Sequence, residues 1–172
     1  VLGTTSYGDI VKALNEAQAG HVFQEFRDIN ELPEDSGRRV LTTGGHFGYL
    51  KIAEGCDKHC TYCIIPSLRG KFRSVPEERL LAQAEYMASQ GVKELILVAQ
   101  ETTVYGTDLY GKKTLHILLK KLCQIKGIRW IRVLYCYPEE IYDELIQVMK
   151  EEKKICNYLD LPIQHASDRI LK

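Results

Sequence analysis

The 172-residue sequence lacks an apolar run long enough to cross a bilayer, and it lacks an excess of charge of either sign. Lysine plus arginine and aspartate plus glutamate each number 23, so the formal net charge is zero. A dedicated nucleic-acid-binding domain usually carries an excess of basic residues. The composition therefore argues against a membrane segment, favours a protein substrate over RNA, and fits a cytoplasmic enzyme domain with an ordinary packed core.

The sequence also lacks any segment that resembles a secretory signal, so nothing places its six cysteines in an oxidising compartment. Three of the six lie in one short stretch, Cys56, Cys60 and Cys63, with the spacing C-x3-C-x2-C. Three thiolates on a tight loop can hold three irons of a four-iron cluster and leave the fourth iron open to a small molecule. The spacing therefore predicts a reactive iron site.

Two other chemistries for these cysteines are weighed against the cluster. Structural zinc needs four protein ligands, usually in two pairs, and no second Cys or His pair lies at matching spacing. His59 neighbours Cys60, and adjacent side chains on a tight loop rarely converge on one metal, so a surface position is expected for it. A disulfide would leave one of the three thiols over. The spacing favours the cluster, with a structural zinc module as an alternative.

The residues that follow these cysteines narrow the interpretation. Residues 56–74 read CDKHCTYCIIPSLRGKFRS, which resembles the radical S-adenosylmethionine (SAM) signature in the form used by the methylthiotransferases. The cysteine triplet alone indicates the superfamily. The extension through Pro66, Arg69-Gly70 and Arg73-Ser74 indicates the methylthiotransferase family.

Two later runs point to one branch of that family. VAQETT at 98–103 and LPIQHAS at 161–167 resemble the RimO branch, which modifies an aspartate of a small-subunit ribosomal protein. The tRNA-modifying MiaB branch tends toward GQNV and QSGS at these places, and this chain has neither. A tRNA adenosine methylthiotransferase is the alternative enzyme, and a substrate-recognition scaffold without a cluster is the alternative outside the enzyme class.

The resemblance implies a cofactor set and a reaction. One 4Fe-4S cluster would be held by Cys56, Cys60 and Cys63, and SAM would bind its open iron and be cleaved to a radical that abstracts hydrogen from the β-carbon of the target aspartate. A second 4Fe-4S cluster on an N-terminal domain would deliver sulfur for the methylthio group, and a donor such as flavodoxin would supply electrons. Tyr62 would lie beside the cluster, near the adenine, although loop packing alone would also explain it.

Apolar periodicity predicts alternating strands and helices. The strands are expected at 49–53, 94–99, 129–135 and 158–161, and the helices at 7–19, 76–90, 114–124 and 139–150. The run Leu95–Val98 is apolar throughout, which is typical of a strand covered on both faces in a parallel sheet. We therefore expect an α/β fold, a parallel partial TIM-like (βα) barrel of the radical SAM type with about its first four βα units.

The carboxyl ends of the strands of such a barrel lie at one edge, and active sites of such barrels occupy this edge. Several candidate residues are therefore expected there. Gln100, Glu101 and Gln164 follow predicted strands and are expected to bind the cofactor. Arg69 and His165 are candidates for contact with the substrate. For each of these residues a solvated or structural role is the ordinary alternative.

The domain organisation is predicted from composition. The turn-rich Pro33–Gly37 and Gly44-Gly45 place a boundary near residue 45. Residues 1–45 are expected to be the tail of an N-terminal domain plus a linker, and 46–172 a truncated radical SAM domain. A helix start at Ser167-Asp168 lies within about one turn of the last residue, so we expect a fragment of a longer enzyme. An exposed apolar fourth strand would then invite self-association.

Overall fold

The computed structural model describes residues 1–32 and 40–171. The chain divides into two compact units, Val1–Val40 with Glu54–Arg73 and Leu41–Ala53 with Ser74–Lys172. The predicted turn-rich connection at Pro33–Gly37 lies outside the described residues, and the boundary near residue 45 stays a prediction. No helix within the described ranges is long and apolar enough to span a membrane.

The elements follow one another in the alternating order that the sequence predicts. The helices are α1 (Ile10–Gln18), α2 (Ile65–Arg69), α3 (Glu77–Ser89), α4 (Thr107–Tyr110), α5 (Leu115–Cys123), α6 (Asp143–Glu151) and α7 (Asp168–Leu171), with short 3-10 helices at Tyr7–Asp9 and Pro138–Glu140. The strands are β1 (Phe47–Lys51), β2 (Ala53–Glu54), β3 (Arg73–Ser74), β4 (Glu94–Val98), β5 (Trp130–Val133) and β6 (Ile155–Leu159).

A four-stranded parallel sheet is the centre of the second unit. Its strand order is β1-β4-β5-β6, so its four strands lie side by side in the order in which they occur along the chain. Strands β2 and β3 form a separate two-stranded sheet. Strands added in sequential order, with helices in the connections, are the pattern of a (βα) barrel. The predicted parallel α/β fold of a partial barrel is confirmed.

The core lies between one face of this sheet and its helices. Leu50, Leu97 and Ile131 are fully buried on the strands, and Leu80 and Leu118 are fully buried on α3 and α5. Helix α3 packs on β1 and on α5. The approach is close at Gly48 of β1, where an added Cβ would lie 2.3 Å from the Met87 side chain of α3. A larger residue at position 48 would require the end of the Met87 side chain to move.

The two faces of the sheet differ in how far they are covered. Strand β4 alternates between full and partial burial: Leu95 and Leu97 are fully buried, whereas Ile96 and Val98 are partly covered. The apolar run therefore has one face that is completely covered and one that is covered in part. Periodicity in the sequence reports the polarity of the side chains and not what the rest of the chain places over them.

Two element boundaries also differ from the prediction. The helix predicted at 139–150 begins at Asp143 and not at Glu139, because Ile141 and Tyr142 have extended backbones after the 3-10 turn at Pro138–Glu140. Strand β6 begins at Ile155 and not at Tyr158, because Ile155 is buried and pairs with Ile131 on β5. The polar residues after Ile155 hid this start from the apolar pattern.

The first unit contains α1, which ends at the predicted place. Gly20 has a φ of +80°, a left-handed conformation that suits glycine after a helix. The apolar stripe of this helix, Ile10, Val11 and Leu14, is exposed on the described surface. The periodicity thus predicted the helix, whereas the described residues do not cover its apolar side chains.

Candidate functional site

The loop that carries the three clustered cysteines belongs to the first unit and is closed at its base. The Cys56 amide donates a hydrogen bond to the Gly70 carbonyl at 3.1 Å, and the Phe72 amide donates to the Asp57 side chain at 3.0 Å. Gly55 has a φ of +79°, and a Cβ there would lie 2.1 Å from the Lys71 carbonyl oxygen. The two ends of the loop therefore meet backbone to backbone, which only glycine at position 55 permits.

An ion pair lies at the same base. Glu54 is buried, and its carboxylate lies 3.7 Å from the guanidinium of Arg69, at the end of α2. The Arg73 guanidinium donates to the Arg69 carbonyl at 3.0 Å. Arg69, a predicted substrate contact, thus has a structural contact within its own unit. A contact between Arg69 and the substrate stays a prediction.

The three sulfurs belong to half-buried cysteines, and none of the three forms a disulfide bond. The Lys58 amide donates to the Cys56 sulfur at 3.4 Å, and the Cys63 amide donates to the Cys60 carbonyl at 3.0 Å, which makes a tight turn between the second and third cysteines. No group of three His, Cys, Asp or Glu side chains in the described part of the chain is arranged to hold a metal ion. The sulfurs therefore do not converge on one point in this structure.

The donor set nevertheless fits an iron-sulfur cluster in its chemistry. Fe-S clusters are ligated by thiolates, and amide hydrogen bonds to the sulfurs tune them. The Lys58 amide already makes such a bond to Cys56. Tyr62, between Cys60 and Cys63, is 74% exposed, and His59 is on the surface as expected. The loop thus offers three cysteines and an accessible aromatic ring.

The second unit gathers polar residues where β4 and β5 end. Glu101 is 4% exposed, and its Oε1 accepts hydrogen bonds from the amide of Thr103 at 3.1 Å and the amide of Tyr137 at 3.3 Å, and from the Thr103 hydroxyl. Gln100 beside it is half-buried. The carboxylate of Glu101 therefore joins the loop after β4 to the loop after β5.

A second set of hydrogen bonds extends this edge to β6. The Thr102 amide donates to the Tyr135 carbonyl at 3.0 Å, and the Cys136 amide donates to the Asp160 carbonyl at 2.9 Å. Cys136 is fully buried, and burial raises the pKa of its thiol. A buried thiol that stays protonated is a poor ligand and a poor nucleophile. Cys136 therefore acts as a small core residue.

The residues after β6 are exposed. His165 accepts a hydrogen bond from the Ser167 amide on its Nδ1 at 2.9 Å, which orders the turn before α7. Gln164 has a positive φ of 63°, uncommon outside glycine. The structure thus places Gln164 and His165 beyond the end of β6, and their proposed contacts with cofactor and substrate stay predictions.

Removing the carboxylate of Glu101 tests its joining role. We expect Glu101→Ala to lower the free energy of unfolding by about 3 kcal/mol, because the amides of Thr103 and Tyr137 lose a buried acceptor. The midpoint of thermal unfolding would fall by roughly 6 to 12 °C. Glu101→Gln keeps an acceptor oxygen and should cost about 1 kcal/mol. A midpoint for Glu101→Ala within measurement error of the wild type would contradict this role.

Sequence reasoning missed the residues that hold this edge together. Thr102, Tyr135 and Asp160 were not singled out, because their roles depend on backbone groups of neighbouring strands. One signal was available, since the threonine pair that follows Glu101, a few residues after the apolar strand, offers hydroxyls for such bonds. The partners of those hydroxyls could not be read from the sequence.

Comparison with known proteins identifies the family that this architecture represents. The family model described as the Radical SAM superfamily matches residues 50–172. Curated relatives named "Ribosomal protein uS12 methylthiotransferase RimO" align over the whole chain. The protein from Lachnoclostridium phytofermentans is 63% identical, that from Clostridium botulinum strain Eklund 17B is 53% identical, and that from Clostridioides difficile strain 630 is 50% identical. The chain spans 39% of the length of each of these relatives.

Solved structures resemble the fold. The radical S-adenosylmethionine methyltransferase TsrM from Kitasatospora setae, determined with tryptophan substrate and the SAM analogue aza-SAM, matches with a TM-score of 0.58 at 16% identity. The match covers 74% of this chain and 23% of TsrM. A second TsrM structure, with cobalamin and a [4Fe-4S] cluster bound, gives a TM-score of 0.57 at 15% identity. At these identities the likeness concerns the fold alone.

Proposed function

The chain belongs to the radical SAM superfamily, and from this premise we propose that it is the cluster-binding and SAM-binding part of a methylthiotransferase that acts on ribosomal protein uS12. The reaction places a methylthio group on the β-carbon of an aspartate of that protein. Similarity to the uS12 enzymes along the whole chain supports the choice of substrate over tRNA. The balanced charge of the chain agrees with a protein substrate.

The observation that carries the proposal is the closed cysteine loop. Its base is fixed by the bond from the Cys56 amide to Gly70, and one of its sulfurs already accepts an amide hydrogen bond. We propose that Cys56, Cys60 and Cys63 hold a 4Fe-4S cluster. When bound, such a cluster supplies an iron open to SAM and the electron that cleaves its carbon-sulfur bond.

The proposal also assigns roles to the other candidate residues that the sequence indicated. Tyr62 contacts the adenine with its exposed ring, and Gln100 and Gln164 hold polar groups of SAM. Glu101 supports these contacts by fixing the two loops that its carboxylate joins, besides any direct contact with SAM. Arg69 and His165 are proposed as substrate contacts.

The remaining parts of the proposal concern the complete enzyme. A second 4Fe-4S cluster would take its ligands from outside this chain, because the other cysteines, Cys123, Cys136 and Cys156, are spread along it and the first two are buried. An electron donor such as flavodoxin would reduce the cluster. A substrate on the ribosome places the reaction in the cytoplasm. Among the described residues β6 lies at one end of the sheet order, and self-association of the chain through this edge strand is part of the proposal.

Reconstitution tests the proposed function directly. The purified chain is incubated with iron and sulfide without oxygen, and bound iron is then measured together with optical and electron paramagnetic resonance spectra of the reduced protein. We expect about four irons per chain and a resonance that changes when SAM is added. Folded protein that takes up no iron would indicate a scaffold, and stoichiometric zinc in its place would indicate a structural zinc module; either result would overturn the proposal.

A further inference from the structure

Tyr135 has a backbone conformation that tyrosine rarely adopts. Its φ is 58°, and within the described ranges only Tyr135 and Gln164 combine a positive φ with a side chain other than hydrogen. For a bulky residue the left-handed region is a conformational outlier that costs free energy. Tyr135 lies two residues after the end of β5, at the carboxyl edge of the parallel sheet.

Neighbours on both sides of β5 hold Tyr135 in this conformation. On the β4 side, the Thr102 amide donates to the Tyr135 carbonyl at 3.0 Å, and the Thr102 hydroxyl lies 3.1 Å from the same oxygen. On the β6 side, the Tyr135 amide donates to the Asp160 carboxylate at 3.1 Å. The adjacent Cys136 amide donates to the Asp160 carbonyl at 2.9 Å. The conformation is therefore fixed by the ends of three strands together.

Burial of Tyr135 does not offset this cost in free energy. Tyr135 is 51% exposed, whereas Cys136 beside it is fully buried. A glycine or asparagine at position 135 would adopt the same φ with less strain. Strained residues that several neighbours hold in place are typical of functional positions. The ring of Tyr135 is also exposed at the edge of the sheet where barrel enzymes have their active sites.

We propose that Tyr135 is a substrate-positioning residue, whose ring packs against the polypeptide that the enzyme modifies. This inference rests on the proposed function. Tyrosine supplies a large contact area at a small cost in side-chain entropy, which suits recognition of a peptide segment. The fixed backbone holds the ring in place before the substrate arrives, so little further ordering is needed on binding.

The charge near Tyr135 favours a polypeptide over RNA as the partner. The Asp160 carboxylate lies against the Tyr135 amide, and Glu139 is exposed four residues further along the same connection. Negative charge of this kind repels a phosphate backbone and accepts a neutral or basic peptide. The ring of Tyr135 would therefore contact the substrate protein and not a nucleic acid.

Three variants of position 135 and one control test this role. Tyr135→Asn and Tyr135→Gly remove the ring at a position whose φ suits both residues, and Tyr135→Phe removes only the hydroxyl. The control is Trp130→Ala at the first residue of the same strand, where an aromatic ring is also 51% exposed but lies at the opposite end of β5. Each protein is reconstituted, and three quantities are measured: the Kd for purified uS12, the spectral change with SAM, and the midpoint of thermal unfolding.

We expect Tyr135→Asn and Tyr135→Gly to raise the Kd for uS12 at least about tenfold. Their unfolding midpoints should equal or exceed that of the wild type, because strain is relieved. The response to SAM should be unchanged, Tyr135→Phe should retain most of the affinity for uS12, and Trp130→Ala should bind uS12 as the wild type does. Lost affinity without lost stability is a result that a merely structural role cannot produce.

Several results would overturn the inference. Unchanged uS12 affinity in Tyr135→Asn, equal losses in Trp130→Ala, or a lower unfolding midpoint together with weaker binding would each show that the ring does not position the substrate. Loss of the SAM response in Tyr135→Asn would assign the ring to the cofactor. A wild-type chain that responds to SAM but does not bind uS12 would also refute the inference while leaving the radical site intact. A wild-type chain without any SAM response would instead refute the proposed function.

Discussion

Replacement of Cys60 by alanine is expected to abolish the cluster. Cys60 is the middle ligand of the proposed three. Without it, one iron loses its thiolate ligand, and the two remaining thiolates on this loop do not hold the cluster. Iron bound after reconstitution should fall to background, and the resonance that changes with SAM should disappear. The variant should remain folded, because Cys60 is only half-buried and its side chain is small.

Cys156→Ala is the matched control for this experiment. Cys156 is also free and half-buried, but it lies on β6, away from the loop in sequence. It should bind as much iron as the wild type and respond to SAM in the same way. Iron retained at the wild-type level in Cys60→Ala, or lost equally in Cys156→Ala, would mean that the loop does not hold the cluster.

Gly55→Ala is expected to have an effect nearly as large, although the substitution adds only one methyl group. The new Cβ would lie 2.1 Å from the Lys71 carbonyl oxygen and 2.6 Å from that of Gly70. These are backbone atoms and cannot rotate away, so the base of the loop must open. We expect a loss of unfolding free energy on the order of 4 kcal/mol and iron incorporation below about a tenth of the wild-type level.

Gly20→Ala separates the clash from the cost of the backbone angle. Gly20 has a φ of +80°, almost that of Gly55, but an added Cβ would meet no atom within 4 Å. Gly20→Ala should lower the free energy of unfolding by only about 1 to 2 kcal/mol, which is the cost of an alanine in the left-handed conformation. Its uptake of iron should be normal. Equal effects of the two substitutions, measured by thermal unfolding and iron content, would show that the close approach at Gly55 is unimportant.

The alternation of elements could be predicted because it depends on local patterns. The apolar run at Leu95–Val98 identified β4, and periodicity placed the end of α1 within one residue of Gln18. Strand and helix periods are properties of neighbouring residues, so they can be read without knowledge of the rest of the fold. The start of β6 was misplaced for the opposite reason, since Ile155 becomes a strand residue through its pairing with Ile131, far away in sequence.

The candidate site also has features that depend on local sequence and features that depend on contacts between distant residues. The spacing of Cys56, Cys60 and Cys63 is a local feature, and the resemblance carried by residues 56–74 agrees with the superfamily match. Arg69 was also visible in the sequence, but its contact with the buried Glu54 was not. A sequence shows that a charged side chain is present. Which residue it pairs with depends on which parts of the chain the fold brings together.

The sequence by itself determined the parallel α/β fold, the family and the cysteine loop, because each follows from periodicity or from residues close together in the chain. Only the tertiary structure decided that Gly55 must be a glycine, that Glu101 joins two loops, and that Tyr135 is held in a strained conformation with its ring exposed. These three facts arise from backbone groups that are distant in sequence and meet in space. The physical reason is that hydrogen bonds and steric contacts depend on distances between atoms that only the folded chain defines.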